Sequence, residues 1–309
     1  MRYAVRHETR YRYSAPVDLG LHMIRLMPPN LARQNVLRRQ LTIEPSPATL
    51  ADFSDHFGNI VHRAAIETTH DRFLVTLAAT IEIVPDNPSH SPGPAWEEVR
   101  SAMRLDGFAR QAPVAEFVYA SPLVTIEPEA SLYARQSFPE GRPIVEGLRD
   151  LTQRIHADFS YAPNRTDIST GVAEIFALGE GVCQDFAHVM IAGLRGLGLP
   201  ARYVSGYIRT RSAQDDDGHV GSDASHAWVS AWCGTELGWI ELDPTNNLVV
   251  SGEHVVIGYG RDFSDVTPLR GVILGGGSHS LSVAVDVREL ESAAKPFNED
   301  PSSPGNEAR

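Results

Sequence analysis

Cysteine is scarce in this sequence: Cys183 and Cys233 are the only two in 309 residues. Two thiols are too few for a disulfide framework. A single bridge between them is conceivable, but no export signal is legible, so the expectation is a cytoplasmic protein with free thiols. The first residues, MRYAVRHETRYRYS, carry charges every few positions and lack the apolar centre of a signal peptide. No stretch approaches the ~18 uninterrupted apolar residues of a membrane span. Basic residues are also short, 27 Lys and Arg against 39 Asp and Glu, for a net charge of −12. Nucleic acid and anionic membranes are recognised through basic patches, so neither is expected as a partner. Gly275-Gly276-Gly277 does not lie between a strand and a helix, which argues against a phosphate loop.

What is present divides the chain. Residues 3–13, 21–26, 34–43, 59–68 and 73–84 alternate apolar with polar and are rich in β-branched and aromatic side chains. Such short strands, separated by Pro, Asp and Gly clusters, predict an antiparallel β-sandwich over residues 1–86. Residues 87–94, rich in Pro and Ser, read as a linker. A second domain is expected over 95–290, giving an α+β protein, and residues 291–309 read as a disordered tail. Within the second domain Ile144, Leu148, Leu151 and Ile155 recur at helical spacing behind Pro143. A short helix is expected after Thr170. Strands are expected over 202–209, 226–233, 239–243, 254–260 and 280–287.

Cys183 follows Gly179-Glu180-Gly181-Val182, and Ala187, Met190, Ile191 and Leu194 then keep helical spacing until Gly196, Gly198 and Pro200. The cysteine therefore sits in the first turn of a buried helix. Unpaired N–H groups and about half a positive charge favour a thiolate there. The same N–H groups are ready donors to an oxyanion. Taken alone, a buried free cysteine is more often a small hydrophobe than a nucleophile.

The segment Ser225-His226-Ala227-Trp228-Val229-Ser230-Ala231-Trp232-Cys233 alternates, and Gly234-Thr235-Glu236-Leu237 can close a hairpin onto Gly238-Trp239-Ile240-Glu241-Leu242-Asp243-Pro244. If Cys233 faces Gly238, Trp232 faces Trp239 and Trp228 faces Asp243. His226 and Asp243 then share a face as diagonal neighbours. A slip of one residue would separate them. Individually, a strand histidine and an Asp-Pro turn are ordinary structural features. Together with Cys183 they form the nucleophile, base and orienting group of covalent catalysis.

These three motifs, in this order, resemble the catalytic core of the transglutaminase-like superfamily, and most closely its bacterial branch with a β-rich N-terminal domain. GEGVCQDFAHVMIAGLRGLGLPARYVSGYI looks like the nucleophile helix and following strand of that branch, SHAWVSAW and GWIELDPTNN like its histidine and aspartate strands, and GRDFSDVTPLRG like a further stretch typical of it. The likeness extends to about residue 290. It implies a papain-like core, a helix carrying the cysteine packed on an antiparallel sheet carrying His and Asp, with Cys183, His226 and Asp243 as the triad. Relatives place an aromatic or amide donor upstream of the nucleophile. Tyr161 is accordingly the favoured second oxyanion donor beside the Cys183 N–H, with Gln184 as the other candidate. Trp228, Asp262 and Asp265 are expected along a substrate groove. His188 is read as structural, and the acidic run Asp215-Asp216-Asp217-Gly218-His219 with Asp223 as a solvated loop.

The function expected is acyl transfer from a peptide, protein or small carboxamide through a thioester on Cys183, with hydrolysis favoured over transamidation and no cofactor or metal. Two other classes remain open. A non-catalytic binding module would keep the fold without a reactive thiol, and a metal site would draw on His219, His226 and Asp223.

Overall fold

The computed structural model describes residues 1–85, 91–105, 112–209 and 225–290. The acidic run 215–223, the tail 291–309 and the first half of the Pro- and Ser-rich linker lie outside these residues.

The N-terminal part is built on one long strand, β1 (Arg2–Met27), followed by β2 (Gln34–Glu44), β3 (Thr49–Ser54), β4 (Ile60–Ile66) and β5 (His70–Ile83). Pairing is antiparallel throughout, in the order β2-β5-β1-β4-β3. Residues 3–13 and 21–26, expected as separate strands, are two halves of β1. Its first half pairs with β5 and its second with β4, the pairing with β5 shifting register between Arg12 and Val17. The sheet curls at this bend, so Tyr3 and Val5 from one half share a core with Ile24 and Leu26 from the other. A single curled sheet thus does the work expected of two sandwiched ones.

Helices α1 (Trp96–Leu105), α2 (Pro128–Arg135), α3 (Ile144–Asp158) and α4 (Val172–Leu178) follow. Strands β6 (Ser160–Tyr161) and β7 (Glu180–Gly181) form a short parallel pair, and α5 (Cys183–Gly196) leads into β8 (Ala201–Ile208). Then come β9 (His226–Trp232), β10 (Trp239–Asp243), β11 (Leu248–Val249), β12 (His254–Gly260) and the single turn α6 (Phe263–Val266). The core sheet runs β11-β10-β9-β8-β12, all antiparallel. Ala187, Met190, Ile191 and Leu194 of α5 are buried with Ala227, Val229 and Ala231 of β9, which places the cysteine helix on one face of this sheet.

The last two strands depart from the expected boundary. β13 (Leu269–Gly275) pairs with the second half of β1 and β14 (His279–Leu290) with the first, so the chain returns to complete the N-terminal sheet. Gly275, which ends β13, and Gly276 and Gly277 after it have φ of 95°, 88° and 61°, a left-handed path open to glycine that lets the chain follow the bend of β1. The segment expected as one domain over 95–290 thus contributes two strands to the N-terminal sheet.

The two parts are stitched at β12, an edge strand of the core sheet. Gln34 donates its side-chain amide to Val256 O at 2.9 Å and accepts from Val256 N at 2.8 Å. Asn59 does the same to Tyr259, at 2.7 and 2.8 Å. Two side-chain amides thus satisfy backbone groups that a further strand would otherwise pair, which blunts the edge. Val255 and Ile257, on the other face of β12, enter the N-terminal core beside Tyr207.

Candidate active site

Cys183 occupies the first residue of α5. The preceding helix α4 ends at Gly179, whose φ of 64° is the left-handed cap expected of glycine, and its N–H returns to Ile175 O at 2.9 Å. After the β7 pair, Val182 is extended and caps α5. Asp185 then reaches back from the helix's third position to accept from Val182 N at 2.8 Å and from Thr166 Oγ1 at 2.6 Å. The first helical bond is Phe186 N–H to Val182 O, so the Cys183 and Gln184 N–H groups precede the helical ladder. The thiol is buried, with 8% of the residue exposed.

The β9–β10 hairpin has the register that the sequence predicts: Trp232 faces Trp239, Ala231 faces Ile240, and Cys233 N–H donates to Gly238 O at 2.8 Å. His226 and Asp243 then meet, His226 Nε2 standing 2.8 Å from Asp243 Oδ2 with neither side chain exposed. Asp243 is held on both oxygens. Oδ1 accepts from the backbone N–H groups of Thr245 at 2.9 Å and Asn246 at 3.1 Å, while Oδ2 also accepts from Asn246 Nδ2 at 2.8 Å. The turn that supplies these donors is anchored to α3 by His156 Nδ1, 2.9 Å from Thr245 O.

Burial opposes charge on both partners, but their mutual attraction overcomes it. For His226, burial lowers the proton affinity; the charge and hydrogen bond of Asp243, followed by those of Cys183, raise it to about 10. Burial pushes the Asp243 carboxyl up, yet His226 first and His254 second hold it well below the usual carboxylate range. Nε2 is committed to Asp243, which leaves the buried Nδ1 to face Cys183. Nδ1 is therefore the nitrogen left to exchange a proton with the Cys183 sulfur. Cys233 contrasts with Cys183: it is fully buried at the far end of β9, and burial pushes its thiol up to about 12.

His254 and Asn246 were not read as site residues from the sequence. His254, the first residue of β12, lies 3.0 Å from Asp243 Oδ2 through its Nε2 and packs edge-on to Trp228 at 5.0 Å. No local pattern announces it, because β12 reaches Asp243 by pairing with β8 rather than with β10. Asn246 was closer to legible, as a side-chain amide in the turn that follows the acid. Among the described residues, His226, Asp243 and His254 also form the cluster with metal-ligand geometry, one ligand atom from each within 4.8 Å of the others. Their nitrogens already converge on one carboxylate oxygen as hydrogen-bond donors. His219 and Asp223, the other members of the expected metal set, lie outside the described residues.

Of the two side-chain oxyanion candidates, Gln184 is half-buried at the second position of α5. Tyr161 is 37% exposed, pairs through its backbone with Gly181 two residues ahead of the nucleophile, and sets its ring edge-on to Phe186 at 6.4 Å.

The expected groove residues are elsewhere engaged. Trp228 is fully buried behind the imidazole, its Nε1 donating to Glu241 Oε2 at 2.8 Å. A Cβ on Gly206, the β8 residue facing His226, would come within 2.4 Å of that indole ring, so glycine there makes room for it. Asp262 is also fully buried; it caps α6 through Ser264 N at 2.8 Å and accepts from Leu123 N at 2.8 Å. Asp265 forms a two-pronged ion pair with Arg261 at 2.9 and 3.0 Å. Trp228 and Asp262 are thus enclosed in the frame, and Asp265 is half-buried at its ion pair. His188 is structural as expected: buried, lowered to about 4 by desolvation, and accepting from Phe263 N at 3.3 Å.

Comparison with known proteins agrees with this fold. Residues 3–82 match the bacterial transglutaminase-like N-terminal region and residues 133–244 the transglutaminase-like superfamily. A Mycobacterium tuberculosis protein of uncharacterized function is 40% identical over 95% of this chain and 94% of its own. One from Mycobacterium leprae is 30% identical over 94% of this chain and 99% of its own. A protein-glutamine gamma-glutamyltransferase of Pseudomonas aeruginosa is 33% identical, over 36% of this chain and 17% of that enzyme. The fold matches the crystal structure of a proposed cysteine protease from Cytophaga hutchinsonii with a TM-score of 0.72 at 22% identity, covering 97% of this chain and 94% of that one. The chain belongs to the transglutaminase-like superfamily, with the bacterial N-terminal region ahead of the core.

Proposed function

We propose that the protein is a cysteine-nucleophile hydrolase of amide bonds, a peptidase or amidase working through a thioester on Cys183. The observation that carries this reading is the buried His226–Asp243 pair at 2.8 Å, with the outer ring nitrogen left for a cysteine at a helix N-terminus. Such a pair has little structural value compared with apolar side chains of the same volume. It has direct value as a base held in one orientation.

In the proposed reaction the Cys183 proton already resides on His226 Nδ1, whose proton affinity is raised to about 10, and the thiolate attacks the carbonyl carbon. The oxyanion is held by the Cys183 N–H together with Gln184 or Tyr161. The C–N bond then breaks as the imidazolium gives its proton to the departing amine. A thioester remains. Water attacks it, giving one proton back to His226, and the carboxylic acid leaves as the thiol is restored.

Transamidation is the second reading, supported by the Pseudomonas aeruginosa enzyme among the relatives. It differs only in the last step, where an amine replaces water. Incubating the protein with a glutamine-containing peptide and a labelled primary amine separates the two. Release of ammonia or a peptide fragment without label supports hydrolysis, and incorporation of label overturns it in favour of transamidation.

A further inference from the structure

The N-terminal sheet and the core enclose a cavity of about 610 Å³, within the range of small-molecule sites. Its walls come from the loop before β2, the turn at Phe57-Gly58-Asn59, the start of α3 and strands β8, β10 and β12. Arg202 is one of its lining residues. The guanidinium is sandwiched between the rings of Trp239 at 4.2 Å and Tyr259 at 3.7 Å, and its Nε lies 3.3 Å from Ser230 Oγ. Both faces of the plane are covered, and the two terminal nitrogens have no hydrogen-bond partner among the described residues.

Charge in the cavity is unbalanced in a protein that is acidic overall. Among the described lining residues are three guanidiniums, of Arg33, Arg149 and Arg202, and one carboxylate, of Glu241. Glu241 is already occupied: Oε2 accepts from Trp228 Nε1 at 2.8 Å and Oε1 from Tyr259 OH at 3.0 Å. Arg33 is bound to the carbonyl oxygens of Val84 and Ser251. Arg149, exposed on α3, and the outer edge of Arg202 remain uncommitted. A guanidinium stacked on both faces offers only its in-plane N–H fork, which fits a carboxylate through two parallel bonds. Leu31, Val145, Ile240 and Val250 supply apolar wall for whatever carries that carboxylate.

We infer that this interdomain cavity binds a carboxylate-bearing ligand, with Arg202 gripping the carboxylate and Arg149 adding charge at the rim. The inference stands apart from the proposed reaction, although the cavity is also lined by His254, whose ring bonds Asp243. A bound carboxylate would therefore lie against the support of the catalytic acid.

The test follows tryptophan fluorescence of the full chain, with Trp239 as the reporter stacked on Arg202. Succinate, succinamide and inorganic phosphate are titrated separately. A saturable change with succinate, none with succinamide and binding about tenfold weaker with phosphate support the site. Arg202→Met, which keeps a chain between the two rings, should abolish the response. Arg149→Gln, on an exposed helix face where folding is not at risk, should weaken it about two- to fivefold. An acetylated tripeptide acid, paired with its amide, separates the sources: tighter binding than succinate assigns a peptide terminus, weaker binding a free small acid. A response equal for succinate and succinamide, phosphate bound as tightly as succinate, or saturation unchanged in both arginine variants would overturn the inference.

Discussion

His254 and His226 donate to the same oxygen of Asp243, at 3.0 and 2.8 Å, from the two strands that flank β8. Two imidazoles and the Asn246 amide thus fix one carboxylate against rotation. We expect His254→Ala to slow acylation of Cys183 by an activated ester about ten- to a hundredfold, since small displacements of an oriented base are costly. His254→Gln, which retains a donor, should recover much of the rate. The pH profile should move in the Ala variant and return in the Gln variant; a loss of stability with an unchanged profile would reduce His254 to packing.

The two thiols should differ in reactivity. Cys233 is fully buried and its thiol is pushed up to about 12, whereas Cys183 has a base beside it. Iodoacetamide at neutral pH should label Cys183 first, as located by peptide mass spectrometry. His226→Ala should slow that labelling by about tenfold or more. Equal labelling of the two cysteines would favour a binding module that keeps only the fold.

Stability should depend on pH through the same pair. His226 is raised from 6.5 to about 10, so its contribution is full below 6.5 and is lost as pH rises through about 10. Asp243 is lowered below its ordinary 3.8, so its contribution is present above that value and is lost as pH falls through the depressed one. The gap in unfolding free energy between wild type and His226→Gln should therefore be widest between 3.8 and 6.5 and shrink toward 10. Denaturant unfolding at several pH values measures it, and a gap independent of pH would contradict the coupling.

Much of the site was legible because it is local. The four residues Gly234-Thr235-Glu236-Leu237 set the hairpin register, and that register alone brings His226 to Asp243 across 17 residues. The glycines before Cys183 likewise placed it at a helix start. What escaped the sequence depends on distant pairing. β14 joins β1 with Arg2 facing Leu290, a match that no short pattern can announce. Trp228 alternates with buried residues on both faces of β9, because the N-terminal part covers the face that alternation alone leaves open. Asp262, expected along a substrate groove, is a buried helix cap.

The amide clamps on β12 give a test of how the two parts depend on each other. Gln34→Ala would leave both the N–H and C=O of Val256 without their partner, which costs about 1–3 kcal/mol for each buried group left unsatisfied. Asn59→Ala should act in the same direction at Tyr259. Chemical denaturation checks both, and a change within a few tenths of a kcal/mol would mean that water replaces the amides.

The thioester on Cys183 is tested most directly by intact-protein mass spectrometry after brief exposure to p-nitrophenyl acetate and acid quench. The account predicts one acetyl group, mapped to Cys183, absent in Cys183→Ala and slow to form in His226→Ala and Asp243→Asn. Acetylation spread over other side chains, or a rate at Cys183 indifferent to loss of His226, would contradict it.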